Sequence, residues 1–132
     1  MAKTKLIVAN WKMNPETEAE AKEALNKIKA GLKKEKSSKV IVCPPSIFLD
    51  LANRVVGDDK GIILGAQDVF IGQGNSHTGE VGIDMLKELN VKYVIVGHSE
   101  RKAEGETDEM IAKKLAGVIK NGLKGILCVG EK

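Results

Sequence analysis

Two polar segments sit where apolar runs end, and both carry side chains suited to electrophilic or proton-transfer chemistry. Leu6 to Ala9 runs into Asn10-Trp11-Lys12-Met13-Asn14, and Tyr93 to Val96 runs into Gly97-His98-Ser99-Glu100-Arg101. An ammonium just past a strand end, with an amide donor beside it, suits a small anion such as a phosphate monoester. It also stabilises negative charge developing on a substrate oxygen. An imidazole at the start of a helical turn is biased toward its neutral form by the positive end of the helix dipole. Its N–H can then donate to a carbonyl oxygen without the cost of burying a cation. Glu100 is a general base by residue type. Spacing alone leaves a plainer reading open: a polar turn around Lys12 with Trp11 packed below it, and a hydrogen-bonded structural histidine at 98.

The elements that must position these groups alternate strictly. Apolar runs at Leu6 to Ala9, Val40 to Cys43, Ile62 to Ala66, Tyr93 to Val96 and Ile126 to Val129 are short and rich in Val and Ile, as strands covered on both faces require. Between them lie four segments of helical period. In residues 16–34 the stripe Ala21, Leu25, Ile28 and Leu32 faces inward, while Glu18 with Lys22 and Glu23 with Lys27 form outward pairs. The second helix has Ser46 as its cap and Phe48, Leu51 and Val55 inside. The third starts at Thr78, packs Val81, Met85, Leu86 and Leu89, and ends at Asn90. The fourth has Thr107 as cap, Asp108 and Glu109 in its first turn, the stripe Ile111, Leu115 and Val118, and Asn121-Gly122 as its stop. Right-handed crossovers make such a sheet parallel. Alternation does not choose between half of a closed barrel and an open doubly wound sheet.

The 132 residues, 42% apolar and 30% charged, are enough for one domain with its own core. Apolar runs are too short to cross a bilayer, and the N-terminus lacks the long apolar stretch of a secretory signal, so a cytoplasmic location is expected. Cys43 and Cys128 lie inside strand patterns without CxxC spacing and are expected to be buried, reduced thiols rather than metal ligands. The net charge of +3 has its densest cluster at Lys33, Lys34, Lys36 and Lys39. With no aromatic side chains among them, these lysines read as a solvated helix end rather than a nucleic-acid patch.

Val8-Ala9-Asn10-Trp11-Lys12-Met13-Asn14, Val96-Gly97-His98-Ser99-Glu100-Arg101 and Ile126 to Glu131 together resemble the first half of the triosephosphate isomerase family. The resemblance runs from residue 5 to the last residue in the family's order. It implies the first half of a TIM (β/α)8 barrel: five parallel strands and four crossover helices in a single incomplete domain over residues 1–132, since such barrels take about 250 residues. The implied activity is interconversion of dihydroxyacetone phosphate and glyceraldehyde 3-phosphate through an enediolate, in glycolysis and gluconeogenesis, with no metal and no organic cofactor. By resemblance, Lys12 contacts the substrate, Asn10 helps hold both substrate and lysine, His98 polarises the carbonyl, and Glu100 is accessory. Met13 and Asn14 are structural, Arg101 and Glu106 form a structural ion pair, and Glu131 orients its neighbours. The general base belongs to a sixth-strand motif beyond residue 132, so the chain alone is expected to be inactive or nearly so.

The long loop from Gln67 to Glu80 corresponds to the family's third loop, which reaches into a neighbouring subunit. Thr78 stands at its tip, with Gln67 and Glu80 at its base, and a homodimer is implied. His77 is expected to be solvated or interfacial. Lys102-Ala103-Glu104-Gly105 lacks the aromatic residues that many relatives carry after Ser-Glu-Arg. A half-barrel leaves its first and fifth strand edges unpaired, which predicts poor solubility, self-association or a complementary chain. Two other readings stay open: a half-barrel that regains activity with a second polypeptide, and an open α/β module that binds a phosphorylated ligand or a complementary chain without turnover. Neither involves nucleic acid or membrane.

Overall fold

A computed structural model describes residues 3–130. The strands are β1 (Lys5–Asn10), β2 (Ser38–Cys43), β3 (Ile62–Ala66), β4 (Val91–Val96) and β5 (Lys124–Leu127), and the helices are α1 (Glu18–Lys34), α2 (Leu49–Val56), α3 (Ile83–Glu88), α4 (Ser99–Ala103) and α5 (Asp108–Lys120). All strand pairs are parallel, in the order β1-β2-β3-β4-β5. A doubly wound sheet reverses its strand order at a switch point. Sequential order with right-handed crossovers instead keeps every helix on one side, and the sheet curls into the first half of a (β/α)8 barrel.

Local sequence explains the elements. Thr17 caps α1 by accepting the N–H of Glu20 at 3.2 Å, acidic residues fill its first turn and lysines its last, each matched to the helix dipole. Ala21 and Leu25 are fully buried, and Glu23 pairs outward with Lys27 at 3.2 Å. Thr107 caps α5 through the N–H of Met110, and Asn121 ends it.

Strand alternation sorts side chains into two layers. Val42, Leu64, Val94 and Val96 pack outward against Leu25, Leu49, Leu86 and Val118. Ile41, Cys43 and Ile95 face the other way, with Ile63, Tyr93, Ile126 and Cys128 beside them. This inner layer is open. Leu6, Ile7 and Val8 of β1 are 54%, 50% and 43% exposed, so both faces of that edge strand lack cover. Cys43 is buried, and burial pushes its thiol up to about 12, which leaves it inert as a nucleophile; Cys128 is half-buried.

Four expectations are corrected. The third helix begins at Ile83 rather than Thr78, because the chain from Val69 to Gly82 is a loop closed by the Phe70 N–H on the Val81 carbonyl at 2.8 Å. Gly79 there holds φ +87°, outside the helical region. Ser46 opens a short 3-10 turn, Ser46–Phe48, and makes no side-chain cap. The fifth strand runs from Lys124 to Leu127 instead of 126–129. The fourth crossover holds two helices, α4 and α5, where the sequence pattern predicts one.

Gly65 lies where the β3–β4 register shifts. A Cβ there would stand 2.5 Å from Cys43 Sγ and 3.1 Å from Ile41 Cγ2. Gly65→Ala is expected to cost about 1–3 kcal/mol through overpacking, read as a lower urea midpoint. An unchanged midpoint would mean that the inner layer yields without strain.

Candidate active site

The loop after β1 is built around Lys12, which holds φ +57°, a conformation that costs an L-residue roughly 1–2 kcal/mol. Hydrogen bonds hold this stretch. Asn10 Oδ1 accepts the Lys12 N–H at 2.9 Å, the Trp11 N–H reaches the Cys43 carbonyl at 3.0 Å, and Gln67 Nε2 donates to the Lys12 carbonyl at 2.7 Å. Gln67 Nε2 also donates to the Cys43 carbonyl at 2.9 Å, so one amide ties the lysine loop to the end of β2. Trp11 packs below against the core, as its place in the sequence predicts.

His98 follows Gly97, which holds φ +76° and turns the chain out of β4. The imidazole caps α4: its Nδ1 accepts the N–H of Glu100 at 3.0 Å. A ring nitrogen that accepts carries no proton, so the neutral ring has its proton on Nε2. Glu100 Oε1 lies 3.4 Å from the same Nδ1 and 3.5 Å from Lys12 Nζ. The Lys12–Glu100 pair is more than half exposed at both ends and contributes little stability; it marks where the two loops meet. Asn10, Lys12, Gln67, His98, Glu100 and Arg101 line one open hollow of about 360 Å³, at the C-terminal ends of the strands.

The profile of the triosephosphate isomerase family matches residues 5–132. The chain is 42% identical over 129 residues to the triosephosphate isomerase of Aquifex aeolicus, covering 97% of this chain and 51% of that protein. It is 43% identical over 127 residues to that of a Thermoanaerobacter species (96% and 50%) and 40% identical over 131 residues to that of Enterobacter cloacae (96% and 49%). The chain belongs to the triosephosphate isomerase family. It spans about half the length of the curated relatives it matches.

Within this half-barrel, several expected contacts are rearranged. Arg101 and Glu106 do not pair with each other. Arg101 Nη2 meets Asp68 Oδ2 at 3.2 Å, and Glu106 Oε2 accepts from Lys114 Nζ at 2.6 Å; the two expected partners share only a backbone bond, Glu106 N–H to Arg101 carbonyl at 3.1 Å. The reason is burial. Glu106 is 1% exposed at its side chain and takes the nearby buried cation, Lys114, 10% exposed, which also donates to Asp68 at 2.7 Å. Burial by itself would lower the Lys114 pKa, but its hydrogen bonds to Asp68 and Glu106, and their charges, outweigh this and raise it above 10.5.

Gln67 spends its amide within the chain. Thr78 and Glu80 are exposed on the loop, and His77 stacks on Phe70 with ring centroids 4.1 Å apart. Glu131 lies outside the described residues. Among the described residues no three His, Cys, Asp or Glu side chains gather as metal ligands, and no helix is long and apolar enough to cross a membrane. Asp68 and Lys114 escape the sequence reading, although one signal existed: Lys114 falls on the inward stripe between Ile111 and Val118, where a lysine needs a buried anion.

Proposed function

We propose that the chain supplies the substrate-binding and electrophilic part of a triosephosphate isomerase, interconverting dihydroxyacetone phosphate and D-glyceraldehyde 3-phosphate through an enediolate. The observation that carries the reading is the hydrogen bond from the Glu100 N–H to His98 Nδ1 at 3.0 Å. With Nδ1 held as acceptor by the Glu100 N–H, Nε2–H is free to donate to the substrate carbonyl. As the proton beside that carbonyl leaves, negative charge grows on the oxygen, and the neutral donor and the Lys12 ammonium in the same hollow stabilise it. Lys12 also attracts the phosphate ester, Asn10 shapes its loop, and Glu100 is an accessory group between the lysine and the histidine.

The proton-removing carboxylate is supplied by the sixth-strand motif that the family resemblance places beyond residue 132. The reaction uses no metal and no organic cofactor. The loop from Gln67 to Glu80 with Thr78 at its tip meets a second subunit in a homodimer, and the protein works in the cytoplasm in glycolysis and gluconeogenesis.

The test is isomerase activity of the 132-residue chain alone and joined to the second half of the Aquifex aeolicus relative. Lys12→Ala and His98→Ala are made in both forms. Activity confined to the joined polypeptide and lost in both variants is expected. Activity of the chain alone would show that it already holds a proton acceptor, and would direct attention to Glu100.

A further inference from the structure

Gln67 and Asp68 are adjacent, yet they serve opposite sides of the site. Gln67 reaches back to the Lys12 and Cys43 carbonyls, while Asp68 reaches forward to Arg101 in α4 and Lys114 in α5. The forward contacts form a closed circuit. Asp68 Oδ2 meets Arg101 at 3.2 Å, the Arg101 carbonyl accepts the Glu106 N–H at 3.1 Å, Glu106 Oε2 accepts from Lys114 at 2.6 Å, and Lys114 donates to Asp68 Oδ1 at 2.7 Å. That circuit fixes the one-turn helix α4, whose first turn presents His98 and Glu100. The exposed Lys12–Glu100 contact is too weak to set their spacing, so the spacing is set below, where buried Lys114 and Glu106 anchor the partly exposed Asp68 that reaches Arg101.

We propose that Asp68 is a positioning residue: paired with Gln67, it makes the end of β3 the common anchor that sets the Lys12 loop against the His98 turn. Just past the end of β3 the two side chains reach in opposite directions, Gln67 to the Lys12 loop and Asp68 to α4 and α5, which is why two neighbours can hold two loops at a fixed separation. The kinetic consequence rests on the isomerase reading, whereas the effect on the His98 ring does not.

The experiment has two arms. In the 132-residue chain, ring ¹⁵N resonances of His98 are recorded for wild type, Asp68→Asn and Arg101→Met. The Arg101 variant cuts the α4 arm alone and leaves Lys114 both its acceptors. Both variants are expected to move the His98 ring resonances and mix its tautomers. In the joined polypeptide, Asp68→Asn is expected to lower kcat about 100-fold, the scale of a misplacement near 1 Å, with KM changed by less than about three-fold. A merely structural aspartate would reduce the amount of folded protein without this split. Unmoved His98 resonances in either folded variant, or an unchanged kcat in an active joined polypeptide, would overturn the proposal. A joined polypeptide inactive even with Asp68 intact would instead overturn the isomerase reading, and the resonances would still decide the role of Asp68.

Discussion

Replacing Lys114 with methionine will lower the free energy of unfolding by about 3–5 kcal/mol, the cost of leaving a buried charge without its partner. Lys114 is 10% exposed and Glu106 1% at their side chains. Glu106 Oε1 already lacks a partner, so its other oxygen carries the whole interaction. Asp68 keeps Arg101 in the variant; Glu106 keeps nothing. The pair as such adds little, because the desolvation of two charges offsets most of their attraction. Glu106→Leu in the Lys114→Met background is therefore expected to recover most of the loss, and the two single variants will be strongly non-additive. Urea midpoints of the four chains measure this. A cost under about 1 kcal/mol for Lys114→Met would mean that water reaches Glu106 and that the network is a surface feature.

The same lysine sets a pH limit. Its pKa is raised on folding, so its contribution is complete below the value of an unfolded lysine and is lost as pH rises through the folded value. The wild-type midpoint should fall above pH 10.5, and Lys114→Met should lack that component.

Much of this was legible in the residues. The stripe of Ala21 and Leu25, the Thr107 cap and the strand-end placement of Lys12 and His98 all follow from local pattern, because period and capping are properties of neighbouring residues. What was not legible depended on partners distant in sequence. The family resemblance implies an Arg101–Glu106 pair, but their side chains are sorted by depth, which only the packing of α4, α5 and the end of β3 decides. Gln67 looked like the base of an intersubunit loop, and nothing local says that its amide reaches back 55 residues to Lys12. Thr78 has the chemistry of a cap while Gly79 has the backbone of a turn, and the turn prevails, so α3 starts at Ile83.

His98 has two jobs in this structure, and separating them gives the sharpest test of the site. Its Nδ1 caps α4, and the proposed reaction uses its Nε2–H. Asparagine can keep the first job, since its Oδ1 can accept the Glu100 N–H as a cap residue does, but its short amide cannot reach the place of Nε2. In the joined polypeptide, His98→Asn should therefore lower kcat by roughly 10²–10³, the effect of losing one preorganised donor to a developing oxyanion, with an unfolding midpoint close to wild type. His98→Ala should lose the same activity and, in addition, about 0.5–2 kcal/mol of stability with the cap. The comparison decides between the two readings that the sequence left open. If kcat in His98→Asn stays within a few-fold of wild type while His98→Ala is both slow and unstable, His98 is a capping residue and the carbonyl is polarised by Lys12 alone. If both variants are equally slow and only alanine is unstable, the ring is the electrophile, and the Glu100 N–H that fixes its tautomer belongs to the machinery.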